Sequence, residues 1–170
     1  MATVLLGIGS NLGDREANVE RAMALLKENE DIEIISASSL VETDPEGGLP
    51  QGKFLNGTVK IETDLLPLEL LSQLKMVERR LGRVKSAQPN TPRTLDLDIL
   101  FYDDVVILEG KNLTIPHPRL TQRMFVLEPL LQIAPDFIHP RLKKTVKELY
   151  HELYENNKRS ANAPQNFKPL

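Results

Sequence analysis

Residues 93–101 read Arg93-Thr94-Leu95-Asp96-Leu97-Asp98-Ile99-Leu100-Phe101 and form the most regular pattern in the chain. Apolar residues alternate with polar ones, which is typical of a half-buried β-strand. Since side chains two residues apart in a strand share a face, we predict a strand over 94–102 with these residues in the core: Leu95, Leu97, Ile99 and Phe101. Asp96 and Asp98 then project together from the opposite face, about 7 Å apart at Cα.

The paired aspartates support a first hypothesis about chemistry. Two carboxylates this close repel each other unless a cation lies between them or one keeps a proton. Mg²⁺ prefers one or two carboxylates together with phosphate oxygens and water, so the pair suits a metal–nucleotide complex. The alternative is a half-exposed strand with a solvated acidic face, although aspartate is depleted in strands. The motif alone leaves both interpretations open.

Basic residues are concentrated around this strand. Arg83, Lys85 and Arg93 flank the loop that leads into the two aspartates, and Arg119 and Arg123 follow later. Guanidinium groups bind phosphate oxygens bidentately, so the arrangement favours a metal–polyphosphate site. The chain has no Walker-type loop, so phosphate recognition must rest on side chains. A surface network of salt bridges would satisfy the same charges without function.

Two further segments offer groups for ligand binding. Pro116 and Pro118 hold His117 in a fixed direction, and the arginines nearby favour anion binding, although a lone histidine is more often structural. Phe54 and Asn56 share one face of another alternating strand. An aromatic ring beside an amide suits a flat heterocycle, although a strand phenylalanine usually belongs to the core.

Strand-like and helical patterns alternate along the rest of the chain. Further strands are predicted at 3–8, 32–42 and 54–63. Some strands are joined by connections that are too short for a crossover helix. We therefore expect an α+β sandwich with a mainly antiparallel sheet packed by helices, rather than a doubly wound parallel sheet.

Four helical segments are predicted. The first begins after Asp14, a typical N-cap residue, and the second begins at Pro67. A third region, over 120–133, should be kinked or split by Pro129. The last helix is predicted to turn these residues to the core: Leu142, Val146, Leu149 and Leu153.

Length and composition fit one ordinary domain. The chain has 170 residues and a formal net charge of -3, which gives no general reason to bind nucleic acid or an anionic membrane. We expect a domain over 1–157 and a loosely packed tail over 158–170. No cysteine is present, which excludes disulfides and thiolate chemistry. Since no long apolar run or signal-like N-terminus is seen either, we expect a cytoplasmic protein.

Together these segments resemble one family, 6-hydroxymethyl-7,8-dihydropterin pyrophosphokinase of folate biosynthesis. The similar segments are Gly9-Ser10-Asn11-Leu12-Gly13, Phe54-Leu55-Asn56, Gly82-Arg83, Pro92-Arg93-Thr94-Leu95-Asp96-Leu97-Asp98-Ile99-Leu100, Pro116-His117-Pro118-Arg119 and Arg123-Met124-Phe125-Val126-Leu127-Glu128-Pro129-Leu130. The resemblance covers about residues 2–155 and implies a ferredoxin-like sandwich. It also implies transfer of the β,γ-diphosphate of ATP to the hydroxymethyl group of the dihydropterin, with release of AMP.

The resemblance implies residue roles as well. Asp96 and Asp98 would be ligands of two Mg²⁺ ions that bridge the ATP phosphates, and Arg83 and Arg93 would be catalytic with them. ATP-binding positions are implied at Glu78, Arg83, Lys85, Arg93, Ile99, His117 and Arg123. Pterin-binding positions are implied at Thr43, Asp44, Gly47, Phe54, Asn56 and Phe125, with the two phenylalanines on either side of the ring. The expected partners are ATP and the pterin, and the expected state is a monomer. Where many relatives have Arg-Trp-Gly-Pro-Arg, this chain has Pro89-Asn90-Thr91-Pro92-Arg93.

Two other functions stay open at this point. A different two-metal phosphotransferase or a nuclease would use the same carboxylates, but a nuclease would want a broad basic surface. A non-catalytic domain that binds a nucleotide or a partner would be marked by loss of a metal carboxylate, and both aspartates are present.

Overall fold

The structure is a five-stranded sheet with helices on both faces. This computed structural model describes residues 1–45, 51–82, 93–108, 110 and 112–162. The strands are β1 (Ala2–Ser10), β2 (Ile32–Ala37), β3 (Val41–Thr43), β4 (Phe54–Thr63) and β5 (Asp96–Tyr102). The α-helices are α1 (Arg15–Lys27), α2 (Pro67–Arg80), α3 (Met124–Ile133) and α4 (Val146–Asn162), and a short 3-10 helix spans Leu120–Gln122.

The strand order is β2-β4-β1-β5, and every neighbouring pair is antiparallel. The short β3 pairs with β4 beside this path. The chain passes through α1 between β1 and β2, and through α2 between β4 and β5, so each helix connects two strands with one strand between them. This is the βαββαβ arrangement of the ferredoxin-like fold. The predicted α+β sandwich with an antiparallel sheet is confirmed.

Helices α1 and α2 cover one face of the sheet. Asp14 caps α1 by accepting a hydrogen bond from the Ala17 amide at 3.1 Å, and Pro67 occupies the first turn of α2, both as predicted. The apolar sides of the two helices pack on alternate strand residues to form the larger core, which includes Val4, Leu6, Ile8, Val59, Ile61, Leu97, Ile99, Val19, Leu26, Leu70 and Leu74.

Helices α3 and α4 cover only part of the opposite face. They pack on the sheet through a second, smaller core that includes Leu5, Leu100, Phe101, Leu127, Leu130 and Leu149. The remainder of this face presents polar side chains and glycines instead of a continuous apolar surface. It is therefore the part of the sheet that is available to a ligand.

A β-bulge in β5 changes the direction of Phe101. Leu6 pairs with Ile99 and Leu5 pairs with Phe101, so Leu100 is an extra residue in β5. The residues before the bulge face α1 and α2 as predicted, but Phe101 packs with α3 and α4. The prediction that Phe101 shares a face with Leu95, Leu97 and Ile99 is wrong, because one extra residue in the strand reverses the alternation of side chains.

Pro129 does not interrupt a helix. It lies inside α3, which continues from Met124 to Ile133, and the break occurs earlier, at the extended residue Arg123. A proline at this position removes a single main-chain hydrogen bond, and its ring is buried against the core. The predicted split at Pro129 is therefore wrong, and the alternative of a kink stays a prediction.

Two other predicted boundaries also change. The strand over 32–42 divides into β2 and β3, and between them the Ser39 amide donates to Gln132 Oε1 of α3 at 2.9 Å instead of pairing in the sheet. Leu142 lies before α4 and is half exposed, so the prediction that it belongs to the core side of that helix is wrong.

The predicted division at residue 157 falls within a helix. Helix α4 continues to Asn162, and residues 163–170 lie outside the part of the chain that the structure describes. The division between domain and tail stays a prediction. None of the described helices combines the length and the hydrophobicity that a bilayer-spanning segment needs.

Two buried threonines of β4 differ in their hydrogen bonds. The Thr63 hydroxyl donates to the Asp31 carbonyl at 2.6 Å and accepts from the Leu65 amide at 3.1 Å. Thr58 is 1% exposed, and its hydroxyl has no hydrogen-bond partner among the described residues. A buried polar group that is left unpaired costs about 1–3 kcal/mol.

We therefore expect Thr58→Val to raise the free energy of unfolding by about 1 kcal/mol and Thr63→Val to lower it by about 1–3 kcal/mol. Valine keeps the branched shape in both cases and removes only the hydroxyl. Urea unfolding followed by circular dichroism measures the two changes. Equal losses of stability in the two variants would contradict the difference in hydrogen bonding.

Candidate active site

The uncovered part of the sheet forms a cleft to which three strands contribute. Gly9 of β1 pairs with Asn56 of β4 on one side and with Asp96 of β5 on the other. Thr58, Gly7 and Asp98 form the next row in the same way. The N-terminal part of α3 closes one side of the cleft. The cleft is lined by these residues together with Thr43, Asp44, Gln51, Phe54, Arg93, Leu100, His117, Arg123 and Phe125.

The two predicted aspartates lie on the cleft side of β5. Burial raises the pKa of the Asp98 carboxyl to about 7, and the negative charges of Asp96 and Glu78 act in the same direction. The guanidinium groups of Arg93 and Arg123 oppose this rise. Asp98 keeps some contact with solvent but is crowded by protein, so its negative charge is costly without further compensation.

Arg93 and Glu78 fix the geometry around this pair. Arg93 Nη1 lies 3.2 Å from Asp96 Oδ1, and both side chains are about one-quarter exposed. Glu78 of α2 is buried, and its carboxylate accepts a hydrogen bond from the Leu97 amide at 3.1 Å. The carboxylate of Glu78 therefore holds the free edge of β5 against α2.

A second cavity runs along the free edge of β5 and shares the charged residues of the cleft. Both cavities are lined by Arg93, Asp96, Asp98, His117 and Arg123. The second cavity adds Leu71, Lys75, Glu78, Ile99, Thr114 and Arg119. The carboxylates and the arginines thus stand where two cavities meet, which suits a reaction between two ligands.

Backbone contacts hold His117 beside the strand. The His117 amide donates to the Leu100 carbonyl at 3.0 Å, and His117 Nδ1 accepts from the Arg119 amide at 3.2 Å. These bonds fix the position of His117 at the junction of the two cavities. Arg119 itself is exposed on the rim.

The aromatic and amide residues lie at the other end of the cleft. Asn56 Nδ2 donates to Thr43 Oγ1 at 2.7 Å, which fixes the orientation of the amide. Phe54 and Phe125 both line the cleft, and the Arg123 guanidinium lies 5.4 Å from the centre of the Phe125 ring. Asp44 is exposed and lies 3.9 Å from Lys53 Nζ.

Asn11 is a structural element of the site that sequence reasoning did not single out. The side-chain Oδ1 of Asn11 accepts a hydrogen bond from the backbone amide of Arg93 at 2.7 Å, and the backbone amide of Asn11 donates to the Arg93 carbonyl at 3.1 Å. Its Nδ2 donates to Gln51 Oε1 at 2.6 Å and also lies 3.3 Å from the Gly52 carbonyl. One buried side chain thus joins the backbone at Arg93 to the start of β4. A polar residue directly after a buried strand was the available signal.

Several predicted residues cannot be compared with the structure. Gly47, Arg83 and Lys85 lie outside the described residues, as do Asn90 and Thr91. Two further arginines, Arg79 and Arg80, lie at the end of α2 and are exposed, and Arg80 Nη1 lies 3.5 Å from Glu28 Oε2. Arg80 therefore forms an ion pair at the surface.

The carboxylate pair fits a hard divalent cation. Over the ranges that the structure describes, no group of three or more His, Cys, Asp or Glu side chains could hold a metal ion without further ligands. Mg²⁺ does not need such a cage, because it binds through one or two carboxylates and takes its other ligands from phosphates and water. Burial and the negative charges of Asp96 and Glu78 raise the pKa of Asp98, and a bound cation would lower the cost of its ionised form.

Comparison with protein families gives a match over most of the chain. The model of the family described as 7,8-dihydro-6-hydroxymethylpterin-pyrophosphokinase (HPPK) matches residues 5–135. A protein of Aquifex aeolicus named 2-amino-4-hydroxy-6-hydroxymethyldihydropteridine pyrophosphokinase is 46% identical over 89% of this chain and 92% of that protein. A Bacillus subtilis protein of the same name is 44% identical over 76% of each chain.

Some relatives are much longer than this chain. The fission yeast protein "Folic acid synthesis protein fol1" is 40% identical over 87% of this chain. The matched part is only 20% of the length of the yeast protein. A solved structure of HPPK-DHPS in complex with substrates gives a TM-score of 0.73 at 16% identity, and a Plasmodium falciparum HPPK-DHPS triple mutant gives 0.75 at 21%. Both matches cover 95% of this chain, but they cover only 45% and 43% of the solved chains. Sequence identities this low show a common fold and no more.

The family model and the two bacterial relatives of similar length lead to the same assignment. The segment that the family model matches contains the carboxylate pair, the described arginines beside it and the aromatic and amide residues of the cleft. The chain belongs to the 7,8-dihydro-6-hydroxymethylpterin-pyrophosphokinase family.

Proposed function

We propose that this chain transfers the diphosphate group of ATP to 6-hydroxymethyl-7,8-dihydropterin, a step of folate biosynthesis. The hydroxymethyl oxygen forms a bond to the β-phosphorus of ATP while the bond from that phosphorus to the α,β-bridging oxygen breaks. AMP leaves with the bridging oxygen, the hydroxyl proton is released, and the pterin keeps the diphosphate. The observation that carries this proposal is the meeting of carboxylates, arginines and an aromatic–amide pair in one cleft.

The end of the cleft near β3 is proposed to bind the pterin. Phe54 and Phe125 offer aromatic faces for a flat ring. Asn56 is oriented by Thr43, so its amide is presented in a fixed direction to a heterocycle edge. The backbone around Thr43, Asp44 and Gly47 is proposed to complete the contacts, with Gly47 carried over from the family resemblance alone.

The second cavity, along the edge of β5, is proposed to bind ATP. Arg93, His117 and Arg123 stand between the two cavities, where the triphosphate must lie for its β-phosphorus to meet the acceptor. Glu78 and Ile99 line the part proposed for the nucleoside. Arg83 and Lys85 are proposed as further phosphate ligands on the family resemblance alone.

Asp96 and Asp98 are proposed to hold two Mg²⁺ ions with the nucleotide. Bound ions of this kind neutralise the charge of the phosphates and favour displacement at phosphorus. The protein contributes the arrangement of its own groups. Arg93 keeps Asp96 in place, and the fixed cations of Arg93 and Arg123 are available to the departing phosphate oxygens. Catalysis in this scheme rests on position and charge rather than on a covalent intermediate.

The wider setting is proposed on sequence grounds. We propose that the catalytic unit spans 1–157 and works as a cytoplasmic monomer with ATP and the pterin as its partners. The absence of cysteine fits a reducing compartment, and the acidic net charge does not favour nucleic acid.

A product assay tests the proposed function. Purified protein is incubated with ATP, MgCl₂ and 6-hydroxymethyl-7,8-dihydropterin, and the products are separated by chromatography. We expect AMP and a pterin diphosphate in equal amounts. Formation of ADP, cleavage of added nucleic acid, or no turnover would each contradict the proposal and favour one of the alternative functions.

Replacement of Asp98 by asparagine should separate activity from stability. We expect Asp98→Asn to lower turnover by about 100-fold or more, because a ligand of the metal–phosphate complex is lost. In metal-free protein the raised pKa of Asp98 means that the folded state keeps a proton that the unfolded chain releases near pH 4. The stability of the wild type should therefore fall as pH rises from about 4 to about 7, and Asp98→Asn should lack this component.

Thermal unfolding in EDTA at pH 5 and pH 8 measures the stability difference, and the product assay measures turnover. Asp104→Asn is the control, since Asp104 is exposed in the turn after β5 and should change neither quantity. Wild-type turnover by Asp98→Asn would contradict the proposed metal-binding role, and unfolding of the variant at both pH values would argue that this carboxylate is structural.

Replacement of Phe54 should affect the acceptor alone. We expect Phe54→Ala to raise the KM for the pterin about tenfold, since an aromatic pair contributes roughly 0.5–1.5 kcal/mol beyond the area it buries. Phe54→Tyr keeps the ring and should stay close to the wild type. Binding of a non-hydrolysable ATP analogue, measured by calorimetry, should be unchanged in both. A similar loss of affinity for the ATP analogue in Phe54→Ala would contradict a role of this ring in pterin binding alone.

A further inference from the structure

Gly9 lies at the point of the cleft where side chains from both neighbouring strands converge. It pairs with Asn56 of β4 on one side and with Asp96 of β5 on the other. A Cβ atom at this position would lie 2.7 Å from Asn56 Oδ1 and 3.6 Å from Phe54 Cδ1. The first distance is below van der Waals contact, so the Asn56 amide occupies space that only a glycine leaves free.

The Asn56 amide cannot easily give up this place. Its Nδ2 is bound to Thr43 Oγ1 at 2.7 Å, which holds the amide on the side of β3 while its oxygen lies over Gly9. A side chain at position 9 would push the oxygen away and turn the amide about its anchor. The atom displaced belongs to a side chain and not to the backbone, so the cost should appear in ligand binding more than in folding.

Gly9 also separates the two halves of the proposed reaction. Neighbouring strands lie about 4.8 Å apart, so Asn56 and Asp96 are about 10 Å apart at Cα with only the backbone of Gly9 between them. This gap suits a flat ring that is read by the amide at one edge and carries a short hydroxymethyl arm towards the carboxylate.

We propose that Gly9 is a specificity-determining residue of the acceptor site. Its lack of a side chain lets the Asn56 amide lie over β1, in the position from which it can bind the edge of a planar heterocycle with a hydroxymethyl group. The inference rests on the proposed function and deepens it, because it names a position that sets the shape of the acceptor.

Gly57 provides a matched control on the neighbouring strand. A Cβ atom there would lie 2.9 Å from Leu40 Cδ2, so Gly57→Ala creates a similar close contact with the end of a side chain. Leu40 packs against the core on the α1–α2 side of the sheet, away from the cleft. The backbone of Gly57 also lines the cleft, but its added Cβ would point to the opposite face of the sheet, so Gly57→Ala reports what a crowded alanine costs the sheet without a side chain in the acceptor site.

The test compares the wild type with Gly9→Ala, Gly57→Ala, Asn56→Ala and the double variant Gly9→Ala/Asn56→Ala. Steady-state assays with saturating MgATP give kcat and KM for the pterin. Calorimetry gives the Kd of a non-hydrolysable ATP analogue, and thermal unfolding gives Tm.

We expect Gly9→Ala to raise the KM for the pterin about tenfold or more, with the Kd of the ATP analogue changed by less than about twofold. Gly57→Ala should lower Tm at least as much as Gly9→Ala and leave the KM for the pterin within about twofold of the wild type. In the double variant, alanine at position 9 should add less than about twofold to the effect of Asn56→Ala, because no amide is left to displace.

Each other outcome has a definite meaning. A wild type that forms no AMP and no pterin diphosphate overturns the proposed function and this inference with it. Wild-type turnover combined with an unchanged KM in Gly9→Ala, an equal rise in Gly57→Ala, or full additivity in the double variant overturns this inference alone. If Gly9→Ala does not fold, a folded double variant with the KM of Asn56→Ala supports the inference. A double variant that is also unfolded overturns it, since the contact with Asn56 would not be the cause.

Discussion

The site depends on the antiparallel pairing of β1 with both β4 and β5. This pairing sets Asn56, Gly9 and Asp96 side by side, and in the next row Thr58, Gly7 and Asp98. The backbone hydrogen bonds of a central strand fix such rows closely, because a shift by one residue would turn every side chain to the other face. The amide of the proposed acceptor site and the carboxylates of the proposed metal site are thus placed by the register of the central strands.

The electrostatic balance of the cleft follows from this placement. Asp96 and Asp98 stand two residues apart on one face, and Glu78 approaches the same strand from α2. Arg93 and Arg123 compensate part of this charge, yet burial and repulsion still raise the pKa of Asp98 to about 7. Concentrated charge of one sign is unfavourable for an empty protein and favourable when a cation and phosphates bind, so the cleft is built for its ligands at some expense of stability.

Sequence reasoning recovered the fold and much of the site for identifiable reasons. The alternation in residues 94–99 has a period of two, which is enough to predict a strand and to place both aspartates on one face. The predicted face of Phe101 was wrong, because the bulge at Leu100 depends on how β5 fits against β1. The predicted split of the helix at Pro129 is also wrong, since α3 runs through this residue with the ring buried in the core. Periodicity contains no information about contacts of this kind.

The sequence alone determined the class of fold, the pair of carboxylates, the cations beside them and the family resemblance, because each of these resides in residue types and short spacings. Only the tertiary structure decided that Asn11 joins the backbone at Arg93 to the start of β4, and that Gly9 leaves room for the Asn56 amide. Each of these contacts joins residues that are at least 40 positions apart in the chain. Their physical reason is the register of the sheet, which exists only once the strands have paired.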